Sequence, residues 1–246
     1  MGIPGSNLTS TWIGAQPQLT NLRRILKSLG IETELDLPGV GENLLEQPNH
    51  LLVYVGHDLD PSLNAYHTFV TATDLFGAQV TAIKESIRAN IPRWARAAVD
   101  ASGAGALNVT AVEKLLRLQH DLLFSKNVPA AEVLTVVAQD ILASNYWILF
   151  PFSRGSVHLG SANIIDKPLI DPRILLADID LTMTVATGKL ARRFWLTKPI
   201  NNFVTGPLNP GPDILPENAT DVQWESFTRE TCKIVPPVGV GNTNIS

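Results

Sequence analysis

Apolar positions along the chain recur at two spacings, and the spacing changes several times between the ends. Leu22, Ile25, Leu26 and Leu29 fall at i, i+3, i+4 and i+7. They predict a short amphipathic helix that Thr20 caps and Gly30 closes in a left-handed conformation. An alternating stretch, Ile31–Leu37, then meets a glycine-rich turn at Pro38-Gly-Val-Gly41, and His50–Val55 reads as a buried strand. A helical pattern covers Gly77–Asn90 with Val80, Ile83 and Ile87 on one side. Pro92 is expected to open a second helix through Val99, because proline fits a first turn and not a helix interior, and Ser102-Gly-Ala-Gly105 ends it. Thr110-Ala-Val-Glu113 has the spacing of a capping box, with Val112, Leu115, Leu116, Leu122 and Leu123 following on one side. Tyr146–Phe152 and Ser156–Leu159 predict two strands joined around Ser153-Arg-Gly155. Asp178–Leu196 reads as a helix with Ile179, Met183, Ala186, Leu190 and Phe194 in register. From Thr205 the chain is rich in proline and glycine and predicts an irregular connection. Strands and helices cluster and do not strictly alternate, which favours an α+β fold over a doubly wound parallel sheet.

Composition narrows this picture. The chain has 246 residues, 45% of them hydrophobic, enough for a sizeable buried core and against wholesale disorder. A net charge of −4 gives no basic face for nucleic acid, and the longest apolar runs are far too short to span a bilayer. The single cysteine, Cys232, excludes an intrachain disulfide framework and any cysteine-rich metal site. His50, His57, His67, His120 and His158 lie at no metal-binding spacing, so no metal is expected. Met1–Thr11 carries no basic start and no apolar core of a secretory leader. Sequons occur at Asn7, Asn108, Asn218 and Asn244 and give weak support for an extracellular origin.

Two separated strings carry a resemblance. Asp36-Leu-Pro-Gly-Val-Gly-Glu-Asn-Leu44, preceded by Ile25-Leu-Lys-Ser-Leu-Gly-Ile31, resembles the loop that runs near the flavin in glucose–methanol–choline (GMC) oxidoreductases. Trp147-Ile-Leu-Phe-Pro-Phe-Ser-Arg-Gly-Ser-Val-His158, followed by Ile170-Asp-Pro172, is similar to the strand pair of the same family. The stretches Trp94–Gly103, Val128–Glu132 and Pro151–Arg154 resemble its fungal glucose oxidase and FAD-dependent glucose dehydrogenase branch. The likeness runs from about Leu22 to about Pro237. Taken singly, each motif has a plainer reading: Pro38–Leu44 as a turn feeding a strand, Ser153-Arg154-Gly155 as a hairpin turn with an exposed arginine, and His158 as a hydrogen-bonded strand histidine.

The resemblance implies an antiparallel sheet covered by helices, the substrate-binding domain of the family, with its FAD-binding Rossmann domain largely missing. Residues 1–21 would be a divergent N-terminal segment and 22–48 a remnant linking to the flavin domain. Residues 49–204 would form the substrate-binding domain and 205–246 an irregular C-terminal segment. No G-x-G-x-x-G turn opens the chain: Gly2, Gly5 and Gly14 have the wrong spacing, and Gln18-Leu-Thr-Asn21 stands where the family has its second signature. In the family a histidine takes the substrate hydroxyl proton while hydride passes to flavin N5. Trp224–Glu230 resembles the helix leading to that histidine, but Pro236 occupies its place, and Cys232 and Ile234 stand where the glucose-type branch has a sugar-binding arginine and asparagine. Proline has no ionisable group, so no catalytic residue is assigned.

The substrate side retains candidates. By likeness, Glu132 and Trp147 occupy pocket positions, where a carboxylate accepts sugar hydroxyls and an indole stacks on a pyranose. Alternatively Glu132 decorates a helix start and Trp147 fills the core. Asn43 lies in the loop that faces FAD in the family. The expected function is a fragment of an FAD-dependent oxidoreductase acting on CH–OH groups of a sugar such as glucose, inactive as an isolated chain. The alternatives are a non-catalytic sugar-binding module or the partner of a separately encoded flavin domain. A truncated or mis-spliced gene product, extracellular location by family likeness, and self-association through exposed apolar surface complete the expectations.

Overall fold

The computed structural model describes residues 21–58, 65–102 and 105–232. In chain order the elements are α1 (Asn21–Ser28), β1 (Glu42–Leu44), β2 (His50–Gly56), β3 (Tyr66–Val70), α2 (Ala72–Phe76), α3 (Val80–Ser102), α4 (Val109–Phe124), β4 (Ala131–Ala138), β5 (Ile141–Ile148), β6 (Gly155–His158), β7 (Leu169–Asp171), α5 (Asp178–Trp195), β8 (Val204–Asn209) and α6 (Asp221–Glu230). The fold is α+β with antiparallel sheets, as the clustering of elements predicts. The described residues divide into two compact units, one drawn from 21–46, 81–126 and 151–179 and the other from 47–80, 127–150 and 180–232.

The first unit holds a three-stranded sheet in the order β1-β6-β7. Leu22 and Leu26 on α1 are buried against Ile31, Val40 and Leu159, and Gly30 takes the expected left-handed closing position (φ 71°). Thr20, the predicted cap, lies outside the described residues. A buried polar cluster organises the turn before β6. The Arg154 guanidinium donates from Nη1 to the carbonyls of Pro151 (2.6 Å) and Ser153 (2.7 Å) and from Nη2 to Gln119 Oε1 (2.7 Å). Gln119 Nε2 donates to the Pro151 carbonyl, and the Ser153 hydroxyl accepts from the Ala177 N–H.

Four expectations need correction here. Strands β5 and β6 do not form a hairpin: β5 pairs with β2 and β4, whereas β6 pairs with β1 and β7. Arg154 is accordingly buried, 2% exposed, and not a hairpin-tip arginine. Its carbonyl-rich surroundings, which supply the missing solvation, do not appear as a sequence pattern. The predicted break at Pro92 is absent, and α3 runs through it. Pro92 and Arg88 are both exposed, so the carbonyl left without an N–H partner meets water. The cap of α4 is Asn108, whose side chain accepts from the Ala111 N–H, not Thr110.

The second unit is built on a five-stranded sheet in the order β3-β4-β5-β2-β8. The supposedly irregular Val204–Asn209 is its edge strand, pairing with β2. Its Pro207 is tolerated because an edge strand has a side with no ladder to complete. Alternation fixes the two faces. His50, Leu52 and Tyr54 of β2 and Leu142, Ser144 and Tyr146 of β5 are buried. They meet α5, where Trp195 Nε1 donates to Ser144 Oγ (2.8 Å) and its ring packs tilted against Tyr54 at 6.1 Å. Gly188 allows that approach: a Cβ there would lie 2.6 Å from Tyr146 Oη and 2.8 Å from Trp224. The stripe on α5 is therefore broader than the predicted one. Thr184, Thr187 and Arg192 are buried and Phe194 is 42% exposed.

Candidate functional site

The sheet face turned away from α5 carries the substrate candidates. Glu132 stands in β4 and Trp147 in β5, and the antiparallel register sets them directly opposite each other. The same register places Phe69 of β3 opposite Glu132 from the other side. Phe69, Glu132 and Trp147 thus form one row across three strands, a carboxylate between two aromatic side chains. Directly opposed residues have Cβ atoms about 5 Å apart, and the outer two strands lie about 10 Å apart.

Glu132 is strand-borne, so the helix-start reading does not hold. Its side chain is 11% exposed and its Oε1 lies 2.5 Å from Nδ1 of His67, which is 56% exposed. A carboxylate only accepts, so Nδ1 carries a proton, and in the neutral ring Nε2 is then the acceptor. Trp147 is half-buried on the open face, whereas its neighbours Tyr146 and Ile148 are fully buried on the other. The row combines hydroxyl acceptors with apolar ring faces. His67 and Phe69 were not singled out by sequence; the alternation of Tyr66-His-Thr-Phe-Val70 was the signal available for them.

Asn43 belongs to the other unit, on β1. It is exposed and left-handed (φ 62°), a conformation that asparagine tolerates. Beside it, Glu42 Oε1 and His158 Nε2 pair at 2.9 Å, with side chains 1% and 13% exposed. Glu42 Oε2 and His158 Nδ1 are buried without a partner. His158 is therefore a paired strand histidine that ties the Pro38–Gly41 turn to β6, helped by the Val157 N–H donating to the Gly41 carbonyl (2.6 Å).

The fit of these residues to FAD can be judged from Gly41. A Cβ there would collide with the Val157 carbonyl, so the glycine serves its own strand contact and not the approach of a pyrophosphate. Among the described residues Asn43 is an exposed amide on β1, and no glycine cradle accompanies it. Pro236 lies outside the described residues. No metal-holding group of His, Cys, Asp or Glu occurs among the described residues, and none of their helices is long and apolar enough to cross a membrane.

A second buried histidine marks the second unit. His50 is 1% exposed and stacks on Tyr146 at 5.4 Å. Its Nδ1 lies 3.2 Å from Thr231 Oγ1, whose own proton goes to the Phe227 carbonyl (2.7 Å). Nδ1 is thus the donor, and Nε2 is buried with no partner. Burial without an acceptor for a second proton lowers the His50 pKa from 6.5 to about 4. Burial likewise raises the Cys232 thiol to about 11, with Asp180 adding to the effect, and raises the Tyr146 phenol.

With this geometry in hand, comparisons with known proteins fix the class. The chain has an oxidoreductase substrate-domain fold. Residues 151–239 match the GMC oxidoreductase family in its C-terminal domain. That stretch is a GMC oxidoreductase C-terminal domain. It is 53% identical over 204 residues to glucose oxidase-like protein fsoC of Humicola fuscoatra, covering 82% of this chain and 34% of that protein. It is 30% identical over 213 residues to glucose oxidase 1 of Penicillium expansum, covering 85% and 33%. The chain spans about a third of the length of the curated relatives it matches. In fold it is similar to an FAD-dependent oxidoreductase from Chaetomium thermophilum, with a TM-score of 0.69 at 20% identity, covering 85% of this chain and 40% of that one. It is also similar to a fungal aryl-alcohol oxidase, with a TM-score of 0.66 at 21% identity, covering 90% and 41%.

Proposed function

We propose that this chain supplies the sugar-holding face of an FAD-dependent oxidoreductase that acts on CH–OH groups of a sugar such as glucose. The observation that supports this reading is the direct opposition of Glu132 and Trp147 on the open sheet face. Glu132 accepts hydrogen bonds from ring hydroxyls, and Trp147 covers the apolar face of the pyranose. By itself the chain binds sugar without oxidising it, since Pro236 stands where the family pattern has its proton-accepting histidine and removal of a positioned base costs about 10²–10⁴-fold.

Calorimetric titration with glucose tests the binding. Saturable heat that weakens about tenfold in Glu132→Gln, and also in Trp147→Leu, supports the reading, and a silent titration of the wild-type protein overturns it. Mixing the chain with FAD and glucose tests inactivity, and bleaching of the flavin absorbance would overturn that part. A second reading, partnership with a separately encoded flavin domain, draws on the exposed amide of Asn43. Co-expression followed by flavin absorbance of the co-purified complex decides it.

A further inference from the structure

We infer that His67 and Phe69 of the edge strand β3 belong to the same sugar site, Phe69 as its second aromatic wall and His67 as a hydroxyl acceptor oriented by Glu132. The inference rests on the sugar-site reading above and adds two residues that neither the family strings nor the spacing of the sequence marks. Three observations carry it. Phe69 is 55% exposed although it sits in a strand directly opposite a carboxylate, a position in which an aromatic ring gains little from the fold itself. Trp147 lies on the far side of that carboxylate in the same row, so two ring systems flank Glu132 at roughly the spacing of two strand intervals, about 10 Å. A pyranose with apolar faces and equatorial hydroxyls matches a row in which ring side chains flank a hydroxyl acceptor.

His67 supplies the third observation. Its Nδ1–H is held by Glu132 Oε1 at 2.5 Å while the ring remains 56% exposed. A histidine whose proton is fixed on one nitrogen by a mostly buried carboxylate presents the other nitrogen as a directed acceptor. The partly buried His158 pairs through Nε2 with Glu42 and has its Nδ1 buried, and His50 is buried on the helix-covered face. By contrast, the free nitrogen of His67 opens on the face that holds Trp147. The imidazole therefore accepts a sugar hydroxyl at Nε2.

Histidine ring carbon–proton spectra recorded during a glucose titration test this directly. The His67 signal, assigned through His67→Gln, is expected to move with the same saturation curve as the calorimetric heat, while those of His50, His120 and His158 stay fixed. Phe69→Ala is expected to weaken binding about tenfold and His67→Ala about fivefold. His67→Gln, whose amide reaches the Nε2 position, restores more affinity than His67→Asn, whose amide mimics Nδ1. Because both residues are exposed, an unchanged melting temperature verifies that the variants fold. If glucose binds the wild-type chain and the His67 signal and both variants are unaffected, this inference falls while the Glu132–Trp147 reading stands. If the wild-type chain binds no glucose, both fall.

Discussion

Acidification should destabilise this protein through His50. The unfolded chain takes up a proton on this histidine near the ordinary value of 6.5, whereas the folded chain does so only near about 4. The stabilising effect is fully present above pH 6.5 and is lost as pH falls toward 4, because the unfolded state binds the proton first. That difference corresponds to about 3 kcal/mol in total, of which about 2 kcal/mol is lost by pH 5. The cause is specific. Thr231 already donates its hydroxyl proton to Phe227, so Nδ1 must donate, and a proton on Nε2 would be buried with no acceptor. Urea unfolding of the wild type and of His50→Gln at pH 7.5 and pH 5.0 measures it. The wild type is expected to lose about 2 kcal/mol more than the variant over that interval. Equal losses would refute the reasoning, since the acid sensitivity would then come from other groups.

Other perturbations probe the packing and the caps. Gly188→Ala places a methyl carbon 2.6 Å from Tyr146 Oη and 2.8 Å from Trp224, which are 0% and 2% exposed. It should cost about 1–3 kcal/mol and lower the melting temperature by several degrees in calorimetry. Arg154→Ala removes donors from two carbonyls and from Gln119 in a site 2% exposed. A loss of about 3 kcal/mol in urea unfolding is expected, and Arg154→Lys should not restore it, because one ammonium cannot span the same fork. Pro92→Ala returns an N–H to the exposed interior of α3 and should stabilise by about 1–2 kcal/mol, read as a raised melting temperature.

Much of this fold is legible in the sequence where burial alone decides the pattern. Leu22 and Leu26, the His50–Val55 strand and the Asp178–Leu196 helix all follow from apolar spacing, and so does the α+β class. The misses share a physical origin. Pro92 defeats the helix rule because its orphaned carbonyl faces water, a fact of placement that composition does not carry. Pro207 hides β8 because an edge strand tolerates what a central strand does not. Tyr146–Phe152 and Ser156–Leu159 look like a hairpin by proximity, yet the polar cluster around Arg154 separates them into different sheets. The site follows the same rule. Glu132 and Trp147 were named from family likeness, and only the strand register shows that they face each other. His67 and Phe69 escaped because their relevance depends on the pairing of β3 with β4, which sets Phe69 directly opposite Glu132 and His67 diagonal to it, a long-range register with no local signature.

The central claim is that a sugar sits on the open face of the five-stranded sheet against Glu132 and Trp147. A crystal structure of the protein soaked in saturating glucose tests it most directly. The account predicts a pyranose lying over Trp147, with hydroxyl oxygens within hydrogen-bond distance of the Glu132 carboxylate. An empty open face at saturation, or a sugar bound only elsewhere on the molecule, would contradict it.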